Sequence, residues 1–196
     1  MNIKERILES INKQNKRREG IHVTSLVYGC LRRSYYEQTV GDGLFNLKTL
    51  LTFWIGRAIH MTPLLKEHEL QLEFEGIVGT VDDFEPEEGL LIDKKTCKLI
   101  PKEAYSHHKK QIEYYIWLLK KNGHDVKKAY VLYIDIVNKK LELFPVFARN
   151  LDVIEKEILE RKNMLLEALN NKEMPPRSMS WLCDYCSFSG RCFNAQ

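Results

Sequence analysis

The stretch "GTVDDFEPEEGLLIDKKT", residues 79–96, decides how this chain folds. Together with the preceding "IV" it reads as a strand over residues 77–84, rich in apolar and β-branched side chains. "EPEEG" supplies turn residues, and "LLIDKKT" reads as a further strand over 90–96 that folds back on the first. Asp82 closes one strand, while Asp93 and Lys95 lie two residues apart on the other. Strand side chains alternate, so Asp93 and Lys95 point the same way, and pairing across the turn brings Asp82 near Asp93. Two carboxylates meeting at one point repel each other unless a cation sits between them, and oxygen ligands favour a hard ion, Mg2+ or Mn2+. A lysine beside such an ion can orient a water or help deprotonate it. Taken alone, Asp-x-Lys is common by chance and reads as ordinary charge at an exposed strand end.

Working outward, "ELQLEFEG" (69–76) alternates and puts Leu70, Leu72 and Phe74 on one strand face. Before it lies an apolar helix over 46–65, with His60 closing "GRAIH"; a lone histidine there is ordinarily a surface or core residue. After the strands, Pro101 is placed to open a helix that runs to Asn122 and stops at Gly123. On it, "QIEYY" sets Gln111 and Tyr115 four residues apart on one face, which by itself implies only a half-buried tyrosine. Lys109 and Lys110 begin the same stretch and suit a phosphate backbone. Two more strands follow, "KKAYVLYIDIV" and "KLELFPVFA", joined as a hairpin at Asn138-Lys139, then an amphipathic helix over 150–172. At the other end, Ile3, Ile7, Leu8 and Ile11 mark a helix over 3–18 stopped by Gly20, a second helix starts near Thr24 or Ser25, and "TVGDGLFN" is a Gly-rich loop. Trp54 and Trp117 read as core, whereas the adjacent His107 and His108 read as solvent-exposed. The order predicts an α/β domain, a mixed sheet flanked by helices. It divides into an N-terminal helical part (1–45), a core (46–172) and a tail (173–196).

The chain has 196 residues, 44% hydrophobic and 29% charged, with a net charge of +3. At this length folding buries roughly 70% of the surface of the unfolded chain, so no staple is needed for want of core. No run of 18 apolar residues occurs, and "MNIKERILES" lacks the apolar centre of a secretory signal, so no membrane span and a cytoplasmic location are expected. Charge is uneven: residues 66–93 carry one base and ten acids, residues 94–128 ten bases and three acids. Such a boundary fits metal ligands set beside a polyanion track, although two solvated faces would look the same.

Three of the five cysteines fall in the last fourteen residues: Cys183, Cys186 and Cys192, spaced C-x2-C-x5-C. Cys30 can supply a fourth thiolate. Four thiolates hold zinc or an iron–sulfur cluster, and spacing alone does not choose. A redox pair at Cys183 and Cys186 is the remaining reading, disfavoured in a proline-broken tail. Trp181 lies beside these cysteines as a shield for a cluster, and Cys97 has no assigned role.

In order along the chain stand Gly56…His60, Gly79…Asp82, Asp93-x-Lys95 and Gln111…Tyr115. This set resembles the RecB-like branch of the PD-(D/E)XK nucleases, known by G-x-x-x-H, G-x-x-D, (D/E)-x-K and Q-x-x-x-Y. The early cysteine, followed by Arg32, Arg33, Tyr35 and Tyr36, together with the late C-x2-C-x5-C, resembles the iron–sulfur clasp of such nucleases. The combination is similar to the CRISPR-associated nuclease family numbered four. That resemblance implies a divalent-metal-dependent DNA exonuclease acting on single-stranded or unwound ends. His60, Asp82, Asp93 and the Lys94 carbonyl would hold Mn2+ or Mg2+, Lys95 would position water, and Gln111 and Tyr115 would support it. It further implies a cluster on Cys30, Cys183, Cys186 and Cys192, with Lys109, Lys110, Arg32 and Arg33 toward DNA; four thiolates can hold [4Fe–4S], the favoured type here, or [2Fe–2S]. Its partner would be the CRISPR integrase in spacer acquisition. The reading from a different class is a non-catalytic, zinc- or iron–sulfur-stabilised DNA-binding subunit of a repair or integration complex.

Overall fold

The computed structural model describes residues 2, 3, 5, 6, 9, 10, 19–41 and 47–194. Most of the expected first helix, and the Gly-rich loop beyond Gly41, lie outside the described residues. The elements run β1 (Ile21–His22), α1 (Val23–Val27), α2 (Leu31–Thr39), α3 (Leu47–His60), β2 (Glu67–Phe74), β3 (Ile77–Glu85) and β4 (Leu90–Cys97). They continue with α4 (Ser106–Lys121), β5 (Lys128–Asp135), β6 (Lys140–Pro145), α5 (Leu151–Asn171), a 3-10 turn (Trp181–Tyr185) and α6 (Ser189–Asn194). The α/β reading holds: six strands form one mixed sheet with helices packed on it.

β3 organises the sheet. Along one edge it pairs antiparallel with β2 from Glu67↔Phe84 to Phe74↔Ile77. Along the other edge it pairs with β1 at Ile77 and Val78, then with β4 only at Asp83↔Ile92, Phe84↔Leu91 and Glu85↔Leu90. Residues 79–82 therefore have no strand partner on that second edge. β4 turns instead to β5, parallel over eight positions, and β5 closes with β6 as the expected hairpin, with Lys139 at φ 55° in its turn. The crossover from β4 to β5 is α4, as parallel neighbours require.

α4 is the spine of the core. From Gln111 to Leu119 every residue is buried, against the sheet on one side and against α1 and α5 on others. The sequence places its start too early. Pro101 lies in a loop, and the helix begins five residues later, after Ala104 has been buried. Trp117 is core, as expected, at 1% exposure, but Trp54 is 51% exposed, because α3 presents Leu51, Phe53, Trp54 and Ile55 to solvent. The tail is better packed than its sequence implies. Phe188 is buried and stacks on Tyr36 at 5.5 Å, Tyr36 Oη donates to Met174 Sδ, and Arg32 Nε donates to the Pro175 carbonyl. No described helix is long and apolar enough to cross a membrane.

Candidate active site

The break in the β3 edge is where the acidic residues gather. At Asp82 the ladder to β4 has ended, and the Lys94 backbone N–H donates to Asp82 Oδ2 at 2.7 Å instead of to a β3 carbonyl. The carboxylate thus replaces a missing rung and is fixed by it. Its other oxygen sits 3.0 Å from His60 Nδ1 at the end of α3. Asp93 is 1% exposed, with Oδ2 2.7 Å from Lys95 Nζ and Oδ1 accepting from Gln111 Nε2 at 3.3 Å. Gln111 Nε2 also donates to Tyr115 Oη at 3.1 Å, so two residues one helical turn apart form a single support for Asp93. All the residues of the four motif pieces are brought to one place.

The charges interact strongly there. Burial pushes Asp93 up, to about 6; Lys95 opposes that shift and Asp82 adds to it. Burial also raises Asp82, but the His60 hydrogen bond and the charge of Lys95 more than offset it, leaving Asp82 below the usual carboxylate range. Lys95 would be lowered by burial; Asp93 and Asp82 together hold it above its ordinary value. Burial keeps the Tyr115 phenol protonated. One ammonium therefore faces two carboxylates, and room remains in charge terms for a second cation.

Two features escape the sequence. Glu69 on β2 has φ 48°, unusual for a non-glycine inside a strand, and its carboxylate joins His60 and Asp82 with ligand atoms within 4.8 Å of one another. Among the described residues no other group of three or more His, Cys, Asp or Glu reaches that spacing. No signal in "EHELQLEF" separates Glu69 from Glu67 or Glu73. The second feature is Lys94, whose side chain leaves β4 on the side opposite Asp93 and Lys95. The side chain is 1% exposed, and its Nζ lies 2.7 Å from Asp83 Oδ2 and donates to the carbonyls of His60 (2.9 Å) and Thr62 (2.7 Å). Asp83 Oδ1 accepts from the backbone N–H groups of Leu64 and Leu65. This buried pair ties the end of α3 to the sheet and so holds His60 at Asp82.

Gly79, first residue of "GTVD", earns its place sterically: a Cβ there would lie 2.9 Å from Leu118 Cδ2 and 3.0 Å from Tyr115 Cε1. Gly56 has no such constraint, with 3.5 Å to Thr96 Oγ1. His107 and His108 depart from expectation. Both are half-buried. His108 Nδ1 is 2.6 Å from Tyr133 Oη, and burial with the charge of Lys95 drives His108 down to about 2, so a neutral ring shares that hydrogen bond with the phenol. Lys109 pairs with Glu103 and Lys110 with Glu157. Arg33 pairs with Glu37, while Arg32 anchors the tail at Pro175.

The four cysteines of the tail and α2 boundary meet at a second location. Cys30, Cys183, Cys186 and Cys192 line one cavity with Tyr28 and Arg33, without the 4.8 Å spacing of the acidic group. Cys97 lies apart, at the end of β4.

The sequence model of the PD-(D/E)XK nuclease superfamily matches residues 8–193. Among solved structures, the crystal structure of SSO0001 superposes with a TM-score of 0.62 at 20% identity, over 98% of this chain and 96% of that one. A phage-related exonuclease from Haemophilus somnus 129PT superposes with a TM-score of 0.51 at 14% identity, over 83% of this chain and 99% of that one. No curated protein matches. With nearly its whole length matched and its motif residues gathered at the split edge of the sheet, the chain belongs to the PD-(D/E)XK nuclease superfamily.

Proposed function

We propose that this nuclease is a divalent-metal-dependent DNA exonuclease acting on single-stranded or unwound ends. The observation that carries the proposal is the convergence of Asp82 and Asp93 on Lys95, with His60 and Glu69 beside Asp82. This donor set fits a hard divalent ion: two buried carboxylate oxygens, an imidazole nitrogen and a further carboxylate, with Asp93 carrying an upward shift that a nearby cation would relieve. His60, Asp82, Asp93 and the Lys94 carbonyl are the residues that would hold it, and Glu69 extends the set. Bound there, Mn2+ or Mg2+ supplies Lewis-acid polarisation of a phosphoryl oxygen.

The chain's own residues do the rest. Lys95, kept as an ammonium by the two acids, positions the attacking water through an N–H donor and offsets negative charge building on the phosphate. Gln111 holds Asp93 by its free oxygen and Tyr115 fixes the amide of Gln111, so the Asp93 carboxylate cannot rotate away from Lys95. His60 is oriented by the Lys94–Asp83 pair behind it.

For the tail we favour an iron–sulfur cluster on Cys30, Cys183, Cys186 and Cys192. Four cysteines around one cavity support it. Prespacer trimming beside the CRISPR integrase, in the cytoplasm, is the biological setting this pairing of nuclease and cysteine clasp fits best.

The test is cleavage of linear and circular single-stranded DNA, labelled at either end, with Mn2+, Mg2+ or EDTA. The proposal expects metal-dependent loss of mononucleotides from linear DNA and survival of the circles. Equal cutting of circles would make the enzyme an endonuclease, and inertness with every metal would favour the non-catalytic DNA-binding reading.

A further inference from the structure

β6 ends the sheet. Its inner edge carries the ladder to β5, and among the described residues no strand pairs with its outer edge. Which backbone groups face outward follows from one bond. The Val146 N–H donates to the Ala129 carbonyl at 2.9 Å, one step past the Tyr130↔Pro145 register, so Val146 and Ala129 form a hydrogen-bonded pair. Such pairs alternate along an antiparallel ladder. Lys140, Glu142 and Phe144 therefore bond to β5, whereas Leu141, Leu143 and Pro145 turn their backbone groups outward. Proline is tolerated there because its missing N–H would face away from the ladder.

The outer edge is apolar as well as unpaired. Leu141 is 66% exposed and Leu143 44%, although the residues opposite them, Ile134 and Leu132, are half-buried and buried. Val137 in the hairpin turn is 61% exposed, and Phe147, just past the strand, 89%. Sheet edges are ordinarily blunted by charge, short length or a bulge. Here the charged residues, Lys140 and Glu142, flank Leu141 with opposite signs and form no ion pair among the described residues.

A second copy of this strand, related by a two-fold axis, runs antiparallel to the first and presents the same edge to it. Charge chooses the register. An axis at Glu142 would set like charges opposite each other, which is unfavourable. An axis at Leu143 would set Leu141 opposite Pro145 of the other copy, which has no N–H to give. An axis at Leu141 joins its N–H and carbonyl to those of Leu141 in the other copy. It also sets Lys140 opposite Glu142 of the other copy on both sides of the axis. The same axis lays the turn at 136–139 alongside residues 143–146 of the other copy. Val137 and Phe147, at opposite ends of the edge, are thereby brought to neighbouring positions.

We infer that β6 is a self-pairing edge: two copies of this chain join antiparallel about Leu141 into one continuous sheet, and reciprocal Lys140–Glu142 pairs fix the register. One strand edge is a small contact, so the dimer forms in the micromolar range. The pairing needs neither metal nor DNA and is independent of the reaction proposed above. The test is sedimentation velocity of the full chain across a micromolar concentration series in EDTA, which should show a reversible monomer–dimer equilibrium. Leu141→Pro removes an outward N–H that the ladder to β5 does not use. It should abolish the dimer while circular dichroism stays native. Lys140→Glu and Glu142→Lys should each weaken the dimer about tenfold. The double reversal Lys140→Glu/Glu142→Lys, or an equimolar mixture of the two single variants, should recover it. A chain that stays monomeric throughout would overturn the inference and leave the edge to a strand of another protein. A dimer that withstands Leu141→Pro, or a double reversal no tighter than either single variant, would overturn it too.

Discussion

The split edge of the sheet and the cysteine tail are both assembled from residues far apart in sequence, yet they are held by opposite means. At the split edge the backbone does the work. Strand pairing stops at Asp83↔Ile92, Asp82 takes the next N–H, and Asp93 is locked by Lys95 and Gln111, all in side chains under 20% exposed. In the tail, Pro175 and Phe188 are the buried residues among those whose side chains are described, and the cysteines are all partly exposed around a cavity. The first region has its geometry prepared by folding. The second is fastened at a few points and leaves its thiolates to be drawn together by whatever they bind.

That contrast breaks first at Lys95. Asp93→Ala or Lys95→Ala should lower metal-dependent cleavage by about a thousandfold while circular dichroism stays native; wild-type rates in either would remove both residues from the chemistry. Next in size is Lys94→Met, which strands the buried Asp83 carboxylate. It should cost about 3–5 kcal/mol in urea denaturation and loosen His60, whereas Cys183→Ser should leave the same transition in place. An unchanged midpoint for Lys94→Met would mean that the clamp behind the site is ornamental.

Smaller effects sharpen the steric part. Gly79→Ala drives a methyl into Leu118 and Tyr115 and should cost about 1–3 kcal/mol. Gly56→Ala, in a helix with space beside it, should be neutral or stabilise by about 0.5–1 kcal/mol. Both follow from thermal melts, and a reversal of their order would show that the glycine of "GTVD" is not there for close packing. The smallest effect concerns protons. Asp93 is raised in the fold, so without a divalent ion its charged form costs stability as pH climbs through 4 to 6, and that cost vanishes as pH falls. A cation must displace the proton below about 6, so Mn2+ should bind about tenfold more weakly at pH 5 than at pH 7, about fivefold more weakly at pH 5 than at pH 6, and change little above pH 7. Calorimetric titration at the three pH values checks the sign.

Much of the split edge could be read from the chain. Alternation in 69–76, the strand readings of 77–84 and 90–96 and the turn at "EPEEG" predict three strands that the fold contains, and the placing of Gln111 and Tyr115 on one face follows from helical spacing alone. What stayed hidden depends on where ladders stop. Nothing in "VDDF" says that pairing ends between Asp82 and Asp83, so nothing assigns one carboxylate to the metal side and the other to Lys94. Glu69 becomes a neighbour of His60 only through a local backbone distortion with no sequence signature. His108 misleads for a related reason: adjacency on a helix argues against a shared site, but Tyr133, from a strand 25 residues on, draws it inward. Trp54 fails because an apolar helix was equated with a buried one, and α3 exposes much of its apolar face.

The central claim, that Asp82 and Asp93 meet around a hard cation beside Lys95, is tested most directly by calorimetric binding of Mn2+ to the wild-type chain and to Asp82→Ala at pH 7.5. The account predicts saturable Mn2+ binding by the wild type and its loss in the variant, with the cysteines unchanged in both. Equal Mn2+ affinity in the two proteins, or none in the wild type, would contradict it.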